Sequence, residues 1–195
     1  ANILGASCAR VCPTEVLCEG ACVHGALSRR PIAIGPLQRY ATDWVQGGNV
    51  PLFTPLAANG HRVAVVGAGP AGLACAAELA LLGYGITVFE AGTQPGGLNA
   101  SGVAEYKLPA EAARKEVAWL GHLGFELRLG VRVGPGGTVT FAELERQYEA
   151  VFIGVGLGRA RRLGIPGEDL PGVRDALDFI ADLKADRATA AASLG

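Results

Sequence analysis

Two hydrophobic rhythms alternate along most of this chain. Arg62-Val-Ala-Val-Val66 is an unbroken apolar run closed by glycine, the pattern of a parallel strand buried on both faces. Pro70 to Leu82 then carries the spacing of a helix, and Gly85 to Phe89 that of a second strand. Ala110 to Leu123 predicts a helix with Ala113, Val117 and Leu120 on one face. Phe125 to Leu129 alternates like a strand, Phe141 to Tyr148 predicts a short helix, and Ala150 to Val155 a third apolar strand. Val173 to Lys184 predicts an amphipathic helix, followed by the alanine-rich, patternless Ala188 to Gly195. Strands alternating with helices imply an α/β fold with a parallel sheet and right-handed crossovers.

Composition divides the chain. The Gly-, Pro- and Asn-rich stretch from Gly47 to Gly60 reads as a linker, with a boundary near residues 48–61. Ahead of it lie four of the five cysteines, between Cys8 and Cys22, whereas Cys75 falls within a helical pattern of alanines and leucines. With 195 residues and 50% hydrophobic composition, the chain can bury one domain, or a small domain beside a larger one. Its 17 basic and 18 acidic side chains nearly cancel, and no Lys/Arg cluster argues for a nucleic-acid partner. The most apolar helical stretch, Ala71 to Leu82, is too short to span a membrane and carries Glu78. No secretory pattern stands at the N-terminus, so a cytoplasmic location is expected. The sequence has no methionine and starts in mid-pattern, which suggests a piece of a longer protein. His24, His61 and His122 are scattered, and no acid-base pair or nucleophile constellation marks a catalytic residue.

Gly67-Ala-Gly69-Pro70-Ala71-Gly72 follows a predicted strand and opens a predicted helix, the context that the dinucleotide fingerprint requires. Gly67 permits the tight turn, Gly69 lets backbone approach a pyrophosphate, and Gly72 lets helix and strand pack closely. The helix N-terminus offers free N–H groups and partial positive charge to phosphates. Glu90, directly after the second strand, is placed to accept hydrogen bonds from a ribose diol. FAD and nicotinamide dinucleotides share this fingerprint, so the turn alone does not choose between them. Gly96-Gly97-Leu98 resembles the second glycine pair of the two-dinucleotide-binding flavoproteins. The strand ending in Gly154-Val-Gly156-Leu157 resembles their other FAD-contact strand, and together these features favour FAD.

The cysteines are spaced C-x3-C-P-x4-C-x3-C, through Cys8, Cys12, Pro13, Cys18 and Cys22. Closely spaced soft thiolates suit an iron–sulfur cluster. Zinc is an alternative, although its knuckles usually carry two-residue spacings. A disulfide framework does not suit a chain without secretory features, and one or two of the thiols could be buried and unligated.

Ile3 to Cys18, followed by Ile34-Gly-Pro-Leu-Gln38-Arg-Tyr-Ala-Thr-Asp43, resembles the NAD(P)H-dependent dihydropyrimidine dehydrogenase flavoproteins. The small subunit of glutamate synthase has the same layout. The resemblance runs over nearly the whole chain. It implies a small α-helical iron–sulfur segment over 1–50, a linker over 51–61, and the first part of a Rossmann-like FAD-binding domain over 62–165. Residues 166–195 would cross towards a nicotinamide-binding domain whose fingerprint does not occur here. Cys12, Cys18 and Gln38 match ligands of one [4Fe-4S] cluster, Cys22 matches a ligand of its neighbour, and Cys8 matches a non-ligand. Gln38 favours the dihydropyrimidine dehydrogenase branch over glutamate synthase. The remaining ligands belong to an upstream cysteine group, so this chain by itself is expected to hold no intact pair of clusters, to retain FAD weakly or not at all, and to be inactive. For FAD the resemblance marks Gly67, Gly69, Pro70, Ala71, Gly72, Glu90, Gly97, Leu98, Lys107 and Val133, with Gly156 and Leu157 on the later strand. In the parent protein it implies electrons passing from NAD(P)H through FAD and the clusters to an electron-accepting subunit or domain that reduces a pyrimidine. The rival from another class is a non-catalytic module holding zinc and a nucleotide.

Overall fold

The computed structural model describes residues 2–27, 30–158 and 160–185. The patternless Ala188 to Gly195 lies outside them. Three helices lead the chain: α1 (Gly5–Val11), α2 (Val23–Ala26) and α3 (Ile34–Gly47). The α/β unit follows as β1 (Arg62–Val66), α4 (Pro70–Leu81), β2 (Gly85–Phe89), α5 (Leu98–Ser101), α6 (Ala110–Leu120), a 3-10 turn (Gly121–Leu123), β3 (Glu126–Arg128), α7 (Phe141–Gln147), β4 (Ala150–Ile153) and α8 (Ala176–Ala185).

The four strands form one parallel sheet in the order β3-β2-β1-β4. Val63 pairs with Ile86 on one side and with Ala150 on the other, which makes β1 central. Side chains alternate across a strand, so β1 feeds two cores. Val63 and Val65 pack with Leu73, Ala76 and Ala80 of α4 and with Val117 and Leu120 of α6. Ala64 and Val66 pack with Phe89, Leu144 and Tyr148 on the opposite face. The first core also takes in Ile3 and Leu4, so the N-terminal segment and the α/β unit share apolar packing.

Several elements are shorter than their patterns. The helix predicted to Leu123 ends at Leu120, passes through the 3-10 turn and stops at Gly124, whose φ of 81° is left-handed. The strand predicted to Val155 ends at Ile153; it is the sheet edge, and Phe152 and Ile153 are 37% and 61% exposed. The last helix starts at Ala176 rather than Val173, because the Asp175 carboxylate accepts the Leu177 N–H at 2.7 Å and caps the start. Among the described residues no helix is long and apolar enough to cross a membrane.

Candidate functional site

Four segments meet at the carboxyl end of β1, where parallel α/β sheets bind ligands. The turn after β1 is fastened by Gly67 N–H to the Phe89 carbonyl at 2.7 Å. Gly67 has a φ of 103°, and a Cβ there would lie 2.4 Å from the Gly154 carbonyl oxygen. A Cβ on Gly72 would lie 1.8 Å from the Gly67 carbonyl oxygen, so α4 touches the turn through backbone alone. Gly69 differs: a Cβ there would meet only the Gly97 Cα, at 3.9 Å. Gly97 in turn has a φ of 53°, and its Cβ would fall 2.8 Å from the Gly69 Cα.

The result is a cradle of close-packed backbone at Gly67, Gly69, Gly97 and Gly154, with room for an added atom only beside Gly69. It lies at the start of α4, where Pro70 occupies the first turn and, among the described residues, no side chain caps the N–H groups. Uncapped N–H groups at a helix start carry partial positive charge and attract phosphate. The cradle a Cβ would fill therefore fits a dinucleotide pyrophosphate.

Glu90 stands at the end of β2. Its carboxylate accepts the Ala68 N–H and the Gly92 N–H, each at 2.7 Å, and thereby braces the turn against the segment after β2. An ionised carboxylate has about four acceptor positions, so capacity for a ribose diol remains. Leu98 follows Gly97 with an exposed side chain. Val133 lies in a bridge to Val139 in which Gly134 N–H and the Arg132 carbonyl make the hydrogen bonds, leaving Val133's own backbone groups outside the pairing. Lys107 sits in an exposed turn closed by its N–H to the Ala104 carbonyl at 2.9 Å. Gly156 and Leu157 lie beyond the end of β4 with exposed side-chain positions; at the cradle itself this strand contributes Gly154. The sequence motif contains Gly154 but marks Gly156 and Leu157 as the contact residues, whereas a glycine directly after a parallel strand beside the fingerprint is the signal for Gly154.

The cysteine segment is built from short caps. Cys12 closes α1, and its N–H reaches the Cys8 carbonyl at 3.0 Å. Cys22 precedes α2. The backbone at Ile32, then at His24, donates towards the Cys22 sulfur and holds its thiol below the usual cysteine range. The helix that carries Gln38 is tied to this loop by Glu19, whose carboxylate accepts the Gly35 N–H at 2.8 Å. Gly35 is needed there, since its Cβ would come 2.9 Å from the Thr14 hydroxyl oxygen. All five cysteines are free thiols, with Cys8, Cys12 and Cys18 exposed. Among the described residues no three His, Cys, Asp or Glu side chains converge as a metal site. Thiolate donors of the right chemistry are present, but they do not form a closed ligand set among themselves.

Comparison with known proteins agrees with both halves. Residues 1–50 match the family described as dihydropyrimidine dehydrogenase domain II, 4Fe-4S cluster. Residues 61–191 match pyridine nucleotide-disulphide oxidoreductase. The chain belongs to the pyridine nucleotide-disulphide oxidoreductase family. The NAD-dependent dihydropyrimidine dehydrogenase subunit PreT of Salmonella typhimurium is 37% identical over 92% of this chain and 42% of its own length. The glutamate synthase [NADPH] small chain of Halomonas elongata is 38% identical over 92% of this chain and 38% of its own. Among solved structures, Mycobacterium tuberculosis FprA in complex with NADPH aligns with a TM-score of 0.54 and 33% identity, over 63% of this chain and 28% of that one. The chain thus spans about two fifths of the length of these curated relatives. The likeness read from the cysteine motif is borne out, and within the family the parallel sheet and glycine turn fall in the matched region.

Proposed function

We propose that this chain is part of the electron-input module of an NAD(P)H-dependent FAD and iron–sulfur oxidoreductase of the dihydropyrimidine dehydrogenase type. The observation that supports the reading is the joining, in one shared apolar core, of a segment matching a 4Fe-4S domain and a backbone cradle fitted to a dinucleotide. Bound FAD would accept a hydride and hand on electrons singly. Gly67, Gly69, Gly97 and the start of α4 would bind the pyrophosphate, Glu90 would orient the ribose, and the Val133 backbone would meet the adenine. Gly156, Leu157, Leu98 and Lys107 would border the flavin. Cys12, Cys18 and Gln38 would ligate one [4Fe-4S] cluster and Cys22 its neighbour, with further thiolates coming from an upstream cysteine group. On this reading residues 1–50 form the cluster segment, 51–61 the linker, 62–165 the first part of the FAD domain and 166–195 the crossover. The partner would be an electron-accepting subunit or domain that reduces a pyrimidine, and the chain alone would be inactive.

A second reading, the electron-input chain of glutamate synthase, is favoured by the Halomonas elongata relative; Gln38 speaks for the first. Anaerobic reconstitution with FAD, iron and sulfide, followed by an absorption spectrum and metal analysis, tests the proposal. Flavin and iron–sulfur bands with less than a full pair of clusters are expected. Bound zinc without either band would overturn it.

A further inference from the structure

Helix α1 begins without a cap of its own. Its N-cap position is Leu4, no side chain in its first turn is acidic, and its first N–H groups therefore need an acceptor from elsewhere. Glu116 of α6 supplies it. One carboxylate oxygen accepts the Ala6 N–H at 2.8 Å and the Ser7 N–H at 3.1 Å, and the other is hydrogen-bonded to the Ser7 hydroxyl. Glu116 is 2% exposed. A carboxylate withdrawn from water is costly unless its acceptor sites are satisfied, and three donors from a single helical turn supply both of its oxygens.

The contact does not stand alone. On the same helix, Val117 and Leu120 share a core with Ile3 and Leu4, and the Trp119 indole N–H donates to the Val50 carbonyl at 3.1 Å. From α1 the connection continues: Arg10 donates back to the Ala6 carbonyl at 3.1 Å and pairs with Asp43 of α3 at 2.6 Å. So α6 begins directly after the Leu108-Pro109 pair that follows Lys107, and it grips α1, the helix that Cys12 caps and that is tied to the helix of Gln38. Rigid elements joined by filled hydrogen bonds are what transmit position between sites.

We propose that Glu116 is a positioning residue that locks the cysteine segment onto the dinucleotide-binding unit by capping α1 across the two. Which cofactors are thereby held in register rests on the function proposed above; the lock itself does not. The test is amide hydrogen exchange on the full chain, resolved by NMR, for the parent and for Glu116→Ala, Glu116→Gln and Ser7→Ala. In Glu116→Ala the Ala6 and Ser7 amides should exchange faster by about tenfold or more while the β1 and β2 amides keep their protection. Glu116→Gln should retain protection, because its amide oxygen can accept both N–H groups and its nitrogen can donate to the Ser7 hydroxyl. Ser7→Ala should give an intermediate loss. Unchanged exchange of Ala6 and Ser7 in Glu116→Ala would overturn the proposal. So would equal loss in β1, with Glu116→Gln behaving like Glu116→Ala, since that marks a generally unfolding core. Parallel reconstitution with FAD, iron and sulfide, followed by metal analysis, separates the two readings: if the parent holds zinc and neither cofactor the functional reading falls, and the exchange pattern still decides on the lock.

Discussion

Glu90 accepts the N–H of Ala68 at 2.7 Å, and through that bond the carboxylate after β2 holds the glycine turn after β1 in shape. The same carboxylate takes the Gly92 N–H at 2.7 Å. Replacing it removes two charge-assisted hydrogen bonds from a half-buried position. Glu90→Ala should lower stability by about 1.5–2 kcal/mol, the lower part of the range for a bond to a charged group. It should also weaken FAD uptake. Urea titration and equilibrium dialysis with FAD read the two effects separately, and Glu90→Gln, which keeps one acceptor oxygen, should fall between.

The glycines of the turn separate into two kinds. Gly72→Ala puts a methyl group 1.8 Å from a backbone oxygen, and neither α4 nor the turn can retreat without breaking the shared core. It should destabilise by roughly 3 kcal/mol, at the upper end of ordinary overpacking costs. Gly69→Ala meets only the Gly97 Cα, at an ordinary contact distance of 3.9 Å, and has a φ of −76° that any residue adopts. That variant should unfold at the parent's denaturant midpoint yet lose dinucleotide binding, because the added methyl occupies the cradle. Equal loss of stability in both variants would contradict this division.

How much could be read ahead depended on where each element lies. The bounds of β1 and β2 agree with their patterns, because strands buried on both faces must be continuous apolar runs. Helix α3 was not separately placed: its Leu37, Tyr40 and Trp44 are exposed, and Gly35 and Pro36 stand where a helix former is expected. It is held by the Glu19 bond to Gly35 and the Arg10–Asp43 pair, which no local pattern encodes. Glu116 left a usable trace. It interrupts the apolar stripe of Ala113, Val117 and Leu120, and a carboxylate in such a stripe calls for donors from another element. Their location, more than a hundred residues away, required the fold.

Tyr148 offers a test of the opposite kind. Its ring is 5% exposed, packs edge-on against Phe89 with centroids 6.0 Å apart and lies under the Arg62 guanidinium at 4.9 Å. Its hydroxyl is buried and has no hydrogen-bond partner among the described residues. An unpaired buried hydroxyl carries an uncompensated desolvation cost. Tyr148→Phe keeps the ring contacts and removes that cost, so it should be neutral or stabilising by about 1 kcal/mol. A clear loss of stability by urea titration would show that the hydroxyl has a partner in solution.

The pH dependence of stability follows from Glu116. Burial pushes its carboxyl above the usual glutamate range, against the opposing pull of the Ser7 hydroxyl and N–H, the Ala6 N–H and the Arg10 charge. A carboxyl raised in the folded state binds its proton more tightly there than in the unfolded chain. Its contribution is therefore fully present below the unfolded value of about 4.3 and is lost as pH rises through the raised folded value. Glu111, Glu126, Glu143 and Glu168 are shifted the other way, so their contributions disappear as pH falls, and the parent's curve alone mixes both signs. The difference between parent and Glu116→Gln isolates the buried group. Measured by urea titration from acid to neutral pH, the parent's stability relative to Glu116→Gln should be greatest at the acid end and decline as pH rises. A difference that grows with pH would mean that the donors from α1 outweigh burial and that Glu116 is held as the carboxylate.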